Sequence, residues 1–165
     1  VFRREFLAGA VGLITCNAVR AQSPVYFEGP GSVALPLGRA VDGKLYLTVS
    51  AMGRDLLLFL DTGATSVLDI SVARSLRLPL VDTGQKGFGL TGLAGKRIST
   101  HVDLRLGALK ITGLPIDCLD LTQLKALSKE NGMPEFDGLI GAELLTTLRA
   151  RIDFDKLTLT LRRPG

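Results

Sequence analysis

The tripeptide Asp-Thr-Gly occurs twice in the chain, at residues 61–63 and 82–84. Glycine permits a tight turn and close backbone approach. Peptide N–H groups can then point at the aspartate carboxylate, while the threonine hydroxyl bonds out of the turn. A carboxylate held this way at the mouth of an apolar core has a proton affinity that its surroundings can tune. The two copies differ in those surroundings. Asp61 follows the run Leu56-Leu57-Leu58-Phe59-Leu60 and precedes Ala64-Thr65-Ser66. Asp82 follows Pro79-Leu80-Val81 and precedes Gln85-Lys86, which reads as a surface turn leading into a Gly-rich hairpin. About twenty residues separate the copies, whereas an independent lobe needs ~50 or more. The second copy therefore does not complete an active site with the first inside one chain.

Other reactive side chains carry less. His101 is the single histidine, and no nucleophile motif such as Gly-x-Ser-x-Gly accompanies it to suggest a Ser–His system, so an ordinary strand or flap-base residue is expected. Asp137, next to Gly138, reads as a turn former, and Asp69 as the cap of a short helix. Of the two cysteines, Cys118 lies in the alternating segment Pro115-Ile116-Asp117-Cys118-Leu119 and reads as a small buried apolar residue. With Cys16 near the N-terminus, the cysteines form no metal-ligand cluster. Arg162 and Arg163 read as a solvated basic tail.

These residues need elements to hold them. Leu45–Ser50 is β-rich and roughly alternating. Met52-Gly53-Arg54 turns the chain, and Asp55–Leu60 is a strand whose unbroken apolar run implies burial on both faces. Asp69–Leu76 is expected as a short helix ended by Pro79. Residues 82–97, with glycines at 84, 87, 89, 92 and 95, form a hairpin or loop. Strand-like segments follow at His101–Leu106, Leu109–Thr112 and Pro115–Leu119. Leu121–Lys129 is a short amphipathic segment closed by Asn131-Gly132, and Ala142–Arg149 contains strong helix formers. Arg151–Phe154 and Leu157–Leu161 form a closing hairpin. Many short strands with turns and little helix describe an all-β, barrel-like domain.

Composition agrees. Hydrophobic residues make up 46% of the 165, enough for a real core, and 19 glycines suit tight turns better than a helical bundle. The net charge is +4, half of it from Arg3, Arg4 and Arg20 against Glu5, and the rest is scattered without a basic stripe. A nucleic-acid partner is not expected.

The N-terminus reads as an address. Val1-Phe2-Arg3-Arg4-Glu5-Phe6-Leu7 opens with a basic pair, an apolar stretch runs to Cys16, and Asn17-Ala18-Val19-Arg20-Ala21 offers a cut after Ala21. The apolar stretch falls short of the roughly 20 residues of a membrane-spanning helix, so no stable span is expected. Arg3-Arg4-Glu5-Phe6-Leu7 resembles the twin-arginine export motif. An ordinary secretory signal and a lipoprotein signal ending at Cys16 are the alternatives, and Thr15 suits lipidation poorly. Each route places the protein outside the cytoplasm, in a bacterial periplasm or secreted. Residues 1–21 are thus a signal peptide, and the Pro/Gly/Ser-rich residues 22–34 a loosely ordered linker.

Leu58-Phe59-Leu60-Asp61-Thr62-Gly63-Ala64-Thr65-Ser66 resembles the active-site loop of the retropepsin-like aspartic proteases, including bacterial exported members. Phe136-Asp137-Gly138-Leu139-Ile140-Gly141 resembles the family's apolar-apolar-Gly segment, and Ala142–Arg149 its short C-terminal helix. Gly87–Gly95 lies where the family carries its substrate-covering flap. The resemblance spans about residues 35–161, within a domain set at 35–163. It implies an all-β fold with one or two short helices: a closed β-barrel forming one lobe of an aspartic protease.

The resemblance also implies roles. Asp61, Thr62 and Gly63 would be the catalytic loop, and Ala64, Gly87, Gly89 and Gly92 would contact substrate. Thr65, Ser66, Leu139, Ile140 and Gly141 would support the site. No metal or organic cofactor is called for. One usable aspartate per chain implies a C2 homodimer that shares a carboxylate pair and cleaves a peptide or protein. The rival from another class is a non-catalytic dimeric peptide-binding or scaffold module, because fold does not guarantee activity. The intact Asp-Thr-Gly-Ala-Thr-Ser favours the enzyme.

Overall fold

In the computed structural model, residues 25–88 and 94–164 are described, and most of them lie in strands. The order is β1 (Tyr26–Glu28), β2 (Ser32–Pro36), β3 (Gly38–Arg39), β4 (Leu45–Ala51), β5 (Arg54–Asp61), β6 (Val67–Asp69), α1 (Ile70–Ser75), β7 (Val81–Phe88), β8 (Ala94–Leu106), β9 (Leu109–Leu119), α2 (Thr122–Glu130), β10 (Gly138–Gly141), α3 (Ala142–Thr147), β11 (Arg151–Asp153) and β12 (Thr158–Arg162). The segment resembling a signal peptide, residues 1–21 with Cys16, lies outside the described residues.

Strand β4 shows why the sheet closes. Leu45, Leu47, Val49 and Ala51 are buried, while Tyr46, Thr48 and Ser50 between them are less so, the period of two that a strand imposes. Strand β5 is covered on both faces. Leu56 and Leu58 enter the main core, which also takes in Val102, Leu104, Ile111, Leu144 and Leu159. Phe59 joins a second cluster with Ala40, Val67, Leu121, Phe136 and Leu139. Its ring meets Tyr46 edge-on at 5.7 Å and Phe136 at 5.2 Å. Each such buried side chain contributes about 1.5–3 kcal/mol of transfer free energy.

The pairing β9-β6-β10-β5-β4-β8 closes on itself through β8 and β9, giving a six-stranded barrel. Strands β1, β3 and β7 extend it at β9, β4 and β8. A separate sheet, ordered β11-β12-β2, joins the two ends of the described chain. The all-β expectation therefore holds, with three short helices in place of one or two.

Three local readings need correction. The 22–34 stretch is not a loose linker over its described part, because β1 pairs with β9 and β2 with β12. Val25, Phe27 and Val33 pack against the core, so alternating apolar residues outweigh Gly29, Pro30 and Gly31, which sit in the intervening turn. Segments 109–112 and 115–119 are one strand, with Gly113 at φ +71 and its N–H donating to the Asp103 carboxylate at 2.8 Å. The second Asp-Thr-Gly is not a turn before the hairpin but a bulged part of β7, with a register shift between Asp82 and Lys86. Among the described residues no helix is long and apolar enough to cross a membrane.

Candidate active site

Strand β10 lies between β5 and β6, parallel to the first and antiparallel to the second. This interposition brings two distant sequence motifs together: Gly141 stands opposite Asp61, and Leu139 and Ile140 opposite Phe59 and Leu60. The fit explains both glycines of Gly138-Leu139-Ile140-Gly141. A Cβ on Gly141 would fall 2.3 Å from the Thr65 carbonyl carbon and 2.4 Å from the Ala64 oxygen and the Ser66 nitrogen. On Gly138 it would fall 2.2 Å from the Val67 oxygen. The backbone following Asp61 rests directly on these two residues.

Hydrogen bonds then fix the loop. The Gly63 N–H donates to Asp61 Oδ1 at 2.9 Å, and the Ala64 N–H lies 3.4 Å from the Asp61 carbonyl oxygen. Asp61 is half-buried, while Thr62 and Gly63 are exposed. The carboxylate therefore closes a tight turn at the lip of the barrel and keeps its second oxygen for other partners. Ala142 N–H donates to Ala64 O at 2.9 Å, and Gly141 N–H to the buried Ser66 hydroxyl at 2.9 Å. The supporting residues expected from sequence, Ser66, Leu139, Ile140 and Gly141, are all gathered here, and Thr65 lies directly against Gly141.

The sequence reading missed two carboxylates. Glu143, on the first turn of α3, accepts the Ser66 N–H at 2.8 Å and ties the helix to the loop. Its spacing two residues beyond Gly141 was the available signal. Asp137, read as a turn former, instead accepts the Leu57 N–H at 2.9 Å and faces Arg54 at 3.5 Å, while its own N–H donates to Leu57 O at 2.8 Å. It braces β5 from behind and takes no part in the exposed loop.

Asp69 caps α1 as expected, accepting both the N–H and the hydroxyl of Ser71 at 2.7 and 2.6 Å. It also receives Lys125 Nζ from α2 at 3.1 Å and is only 2% exposed. Burial pushes its carboxyl up, but the Ser71 hydrogen bonds and the Lys125 ammonium outweigh burial and hold it below the usual value of 3.8. Cys118 is buried and unpaired by disulfide. Burial, with Asp117 and Asp69 adding to it, pushes its thiol up to about 11. Among the described residues no group of three His, Cys, Asp or Glu could hold a metal ion.

The second Asp-Thr-Gly repeats the local bond but not the setting. Gly84 N–H donates to Asp82 Oδ1 at 2.9 Å, matching Gly63 and Asp61. Gly84, however, has φ +70 and open space around it, and Thr83 is spent on the Arg97 carbonyl oxygen at 3.0 Å. The tripeptide thus encodes a turn bond by itself. Only the packed β10 converts that bond into a supported site.

Strands β7 and β8 form the hairpin of the expected flap, with Gly87 opposite Gly95. Gly89 and Gly92 lie outside the described residues. Between the hairpin base and the loop is an open cleft of about 780 Å³. Thr65, Ser66 and Glu143 line one side, and Arg97, His101 and Asp117 the other. Arg97 grips Asp117 through Nε at 2.9 and 3.0 Å and Nη2 at 2.9 Å. His101 is exposed on β8, the ordinary strand position expected of it.

A family model described as aspartyl protease matches residues 47–144, which span β4 to α3. A retropepsin-like aspartic protease from Rickettsia conorii is similar at 18% identity, over 86% of this chain and 96% of that one, with a TM-score of 0.48. The retroviral protease-like domain of Ddi1 from Leishmania major is 16% identical over 72% of this chain and 87% of its own, with a TM-score of 0.51. EIAV protease, complexed with the inhibitor HBY-793, is 22% identical over 68% of this chain and 95% of its own, with a TM-score of 0.46. At these identities the likeness concerns the fold, and the Leishmania domain carries it. A comparison with curated proteins finds no match.

Proposed function

Because the chain belongs to the aspartyl protease family, with a retropepsin-like barrel, we propose that it is an aspartic endopeptidase whose catalytic group is Asp61. The observation that carries this reading is the placement of that carboxylate. It ends a core strand, is held by the Gly63 N–H, and is backed by Gly141 with no room for a side chain. Its neighbours Thr62 and Gly63 face outward, where a substrate and a second copy have access.

One such carboxylate is half of a catalytic pair, and a homodimer with Asp61 at the two-fold axis supplies the other. Two close carboxyl groups cannot both ionise cheaply, so the pair shares one proton. The charged member removes a proton from water as the water oxygen bonds to the peptide carbonyl carbon. The protonated member gives its proton to the carbonyl oxygen. Proton transfer to the amide nitrogen then accompanies breaking of the C–N bond. In this reading Thr62 bonds across the axis, and Ala64 lies along an extended peptide covered by the hairpin of β7 and β8 that includes Gly87. The leader-like sequence of residues 1–21 would, in this reading, direct the activity out of the cytoplasm.

The test compares the purified chain with Asp61→Asn on an unfolded protein and a peptide library across pH, with mass in solution measured alongside. Cleavage by the wild type alone, from a dimer, is the expected result. Equal cleavage by both removes Asp61 from the mechanism, and cleavage by a monomer removes the shared pair.

A further inference from the structure

A substrate held near Asp61 also meets the open cleft between the active-site loop and the base of the β7–β8 hairpin. The cleft measures about 780 Å³, a size that encloses a small ligand or a few residues of a peptide. Its lining has two kinds of surface. Val81 on β7, 38% exposed, and Pro115 on β9, also exposed, are apolar. Among the described residues that line it, three carboxylates, those of Asp82, Asp117 and Glu143, stand against one cation, Arg97.

That cation is spent inside the protein. Arg97 Nε lies 2.9 and 3.0 Å from the two Asp117 oxygens, and Nη2 lies 2.9 Å from Asp117 Oδ2. Nη1 donates to Gln85 Oε1 at 3.3 Å. Such a forked grip is the strong form of an Arg–carboxylate pair, and the two charges match. Asp82 is turned to the Gly84 N–H of its own strand. Glu143 differs from both. Its Oε1 accepts the Ser66 N–H at 2.8 Å, which fixes the carboxylate at the cleft wall. Its Oε2 has no hydrogen-bond or ion-pair partner among the described residues, and the residue is exposed.

A fixed carboxylate oxygen near apolar surface matches a long side chain with a methylene stem and a cationic head. Lys and Arg lay the stem along apolar surface and keep the head on a charged or wet partner. An acidic side chain would instead face Glu143 and Asp117 with the neutralising cation already taken. A cleft dominated by one sign of charge focuses its field on an entering ligand.

We propose that this cleft takes a Lys or Arg side chain of the substrate and that Glu143 is the residue that selects it. The selection rests on the reading of the chain as a protease, and it names the substrate class: peptides with a basic residue near the scissile bond. Two copies related by a two-fold axis present the cleft twice, so the selection falls at one position on each side of that bond.

The test uses the purified chain and peptides that carry lysine, glutamine or glutamate in turn at each position within about four residues of the cleaved bond, a reach of about 14 Å in extended chain. At the selected positions kcat/KM with lysine is expected to exceed that with glutamine several-fold and that with glutamate about tenfold or more. Added salt should shrink both ratios. Glu143→Gln keeps an oxygen for the Ser66 N–H and removes the charge, so lysine and glutamine should then differ by less than about twofold. Arg97→Gln leaves Asp117 unmatched while the Thr83 bond to the backbone oxygen of position 97 stays, so the lysine preference should rise several-fold. A change that merely loosens the cleft lowers all three peptides together and does not move their ratio in opposite directions. Circular dichroism checks the fold of both variants. Equal cleavage of the three peptides at every position, or wild-type ratios in Glu143→Gln, overturns the selection. If Asp61→Asn is inert while the wild type cleaves without regard to charge, the protease reading stands and the selection falls. If Asp61→Asn cleaves as the wild type does with the charge ratios intact, the selection stands and the role of Asp61 falls. If nothing is cleaved, fluorescence anisotropy of the same peptides decides. Tighter binding of the lysine peptides, lost in Glu143→Gln, keeps a basic-side-chain site on a non-catalytic module, and equal binding removes it.

Discussion

Replacing Gly141 by alanine tests whether β10 supports the Asp61 loop by contact. The added Cβ would lie 2.3 Å from the Thr65 carbonyl carbon and 2.4 Å from both the Ala64 oxygen and the Ser66 nitrogen, whereas ordinary contact begins near 3.4 Å. All three neighbours are backbone, so no side-chain rotation gives relief, and the loop must retreat by about 1 Å. Overpacking of this kind costs about 1–3 kcal/mol. The retreat also stretches two 2.9 Å hydrogen bonds, Gly141 N–H to Ser66 Oγ and Ala142 N–H to Ala64 O, each contributing about 1 kcal/mol. A loss of about 3–5 kcal/mol lowers the melting temperature by roughly 10 °C in a domain of this size. A displacement of 1 Å at the reacting group costs about 100-fold in turnover. Gly63→Ala is the control. Its Cβ meets only Asp61 Oδ1 at 3.4 Å, and Gly63 has no left-handed φ, so melting should change by under ~2 °C. Scanning calorimetry of both variants checks the argument. A Gly141→Ala chain that melts within 3 °C of wild type, or a Gly63→Ala chain that falls further, refutes it.

Other expectations follow from the same geometry. Ala64→Ser adds a hydroxyl beside the Asp61 turn that can donate to the charged carboxylate, so the acidic limb of the pH–rate profile should move down; an unchanged limb contradicts this. Ser66→Ala leaves the buried Gly141 N–H without its acceptor and should cost about 1–3 kcal/mol in urea unfolding. Lys125→Met strips the near-sealed Asp69 of its cation and should cost about 2–4 kcal/mol at pH 7. The folded Asp69 carboxyl titrates below its unfolded value of 3.8, so its contribution is full above that value and fades as pH falls through the lower folded one. The gap between variant and wild type should close at the same acid pH. In a Cys16→Ser background, native Cys118 should resist a thiol reagent at pH 8 and react on unfolding, since burial keeps it protonated; rapid native labelling would contradict this.

What could be read from sequence was what adjacent residues decide. The apolar run before Asp61 announces a strand covered on both faces, and Asp69 announces a cap, because their determinants lie within a few positions. The choice between the two Asp-Thr-Gly copies was also legible, from their flanks. Glu143 and Asp137 were misjudged because their partners, Ser66 and Leu57, are 77 and 80 residues away. Composition misled at β1 and β2. Pro and Gly there mark the turn between two strands, and pairing with β9 and β12 is a property of the assembled sheet. The bulge at Asp82–Lys86 was hidden for a related reason: a turn bond and a bulge use the same residues and differ in what runs alongside.

The position of β10 bears on when the site can exist. Strands β5 and β6 are neighbours in sequence but do not pair in the barrel, because residues 138–141 fill the gap between them. Chains are made from the N-terminus. Asp61 therefore leaves the ribosome long before the strand that holds its loop in place. Contacts across so wide a separation form late and slowly. The loop is thus without its support while about 80 further residues are made, and any acid–base function it has is deferred until residues 138–141 arrive. The interposed strand acts as a timing device: the maker of the chain is spared a finished active site while the chain is still being made.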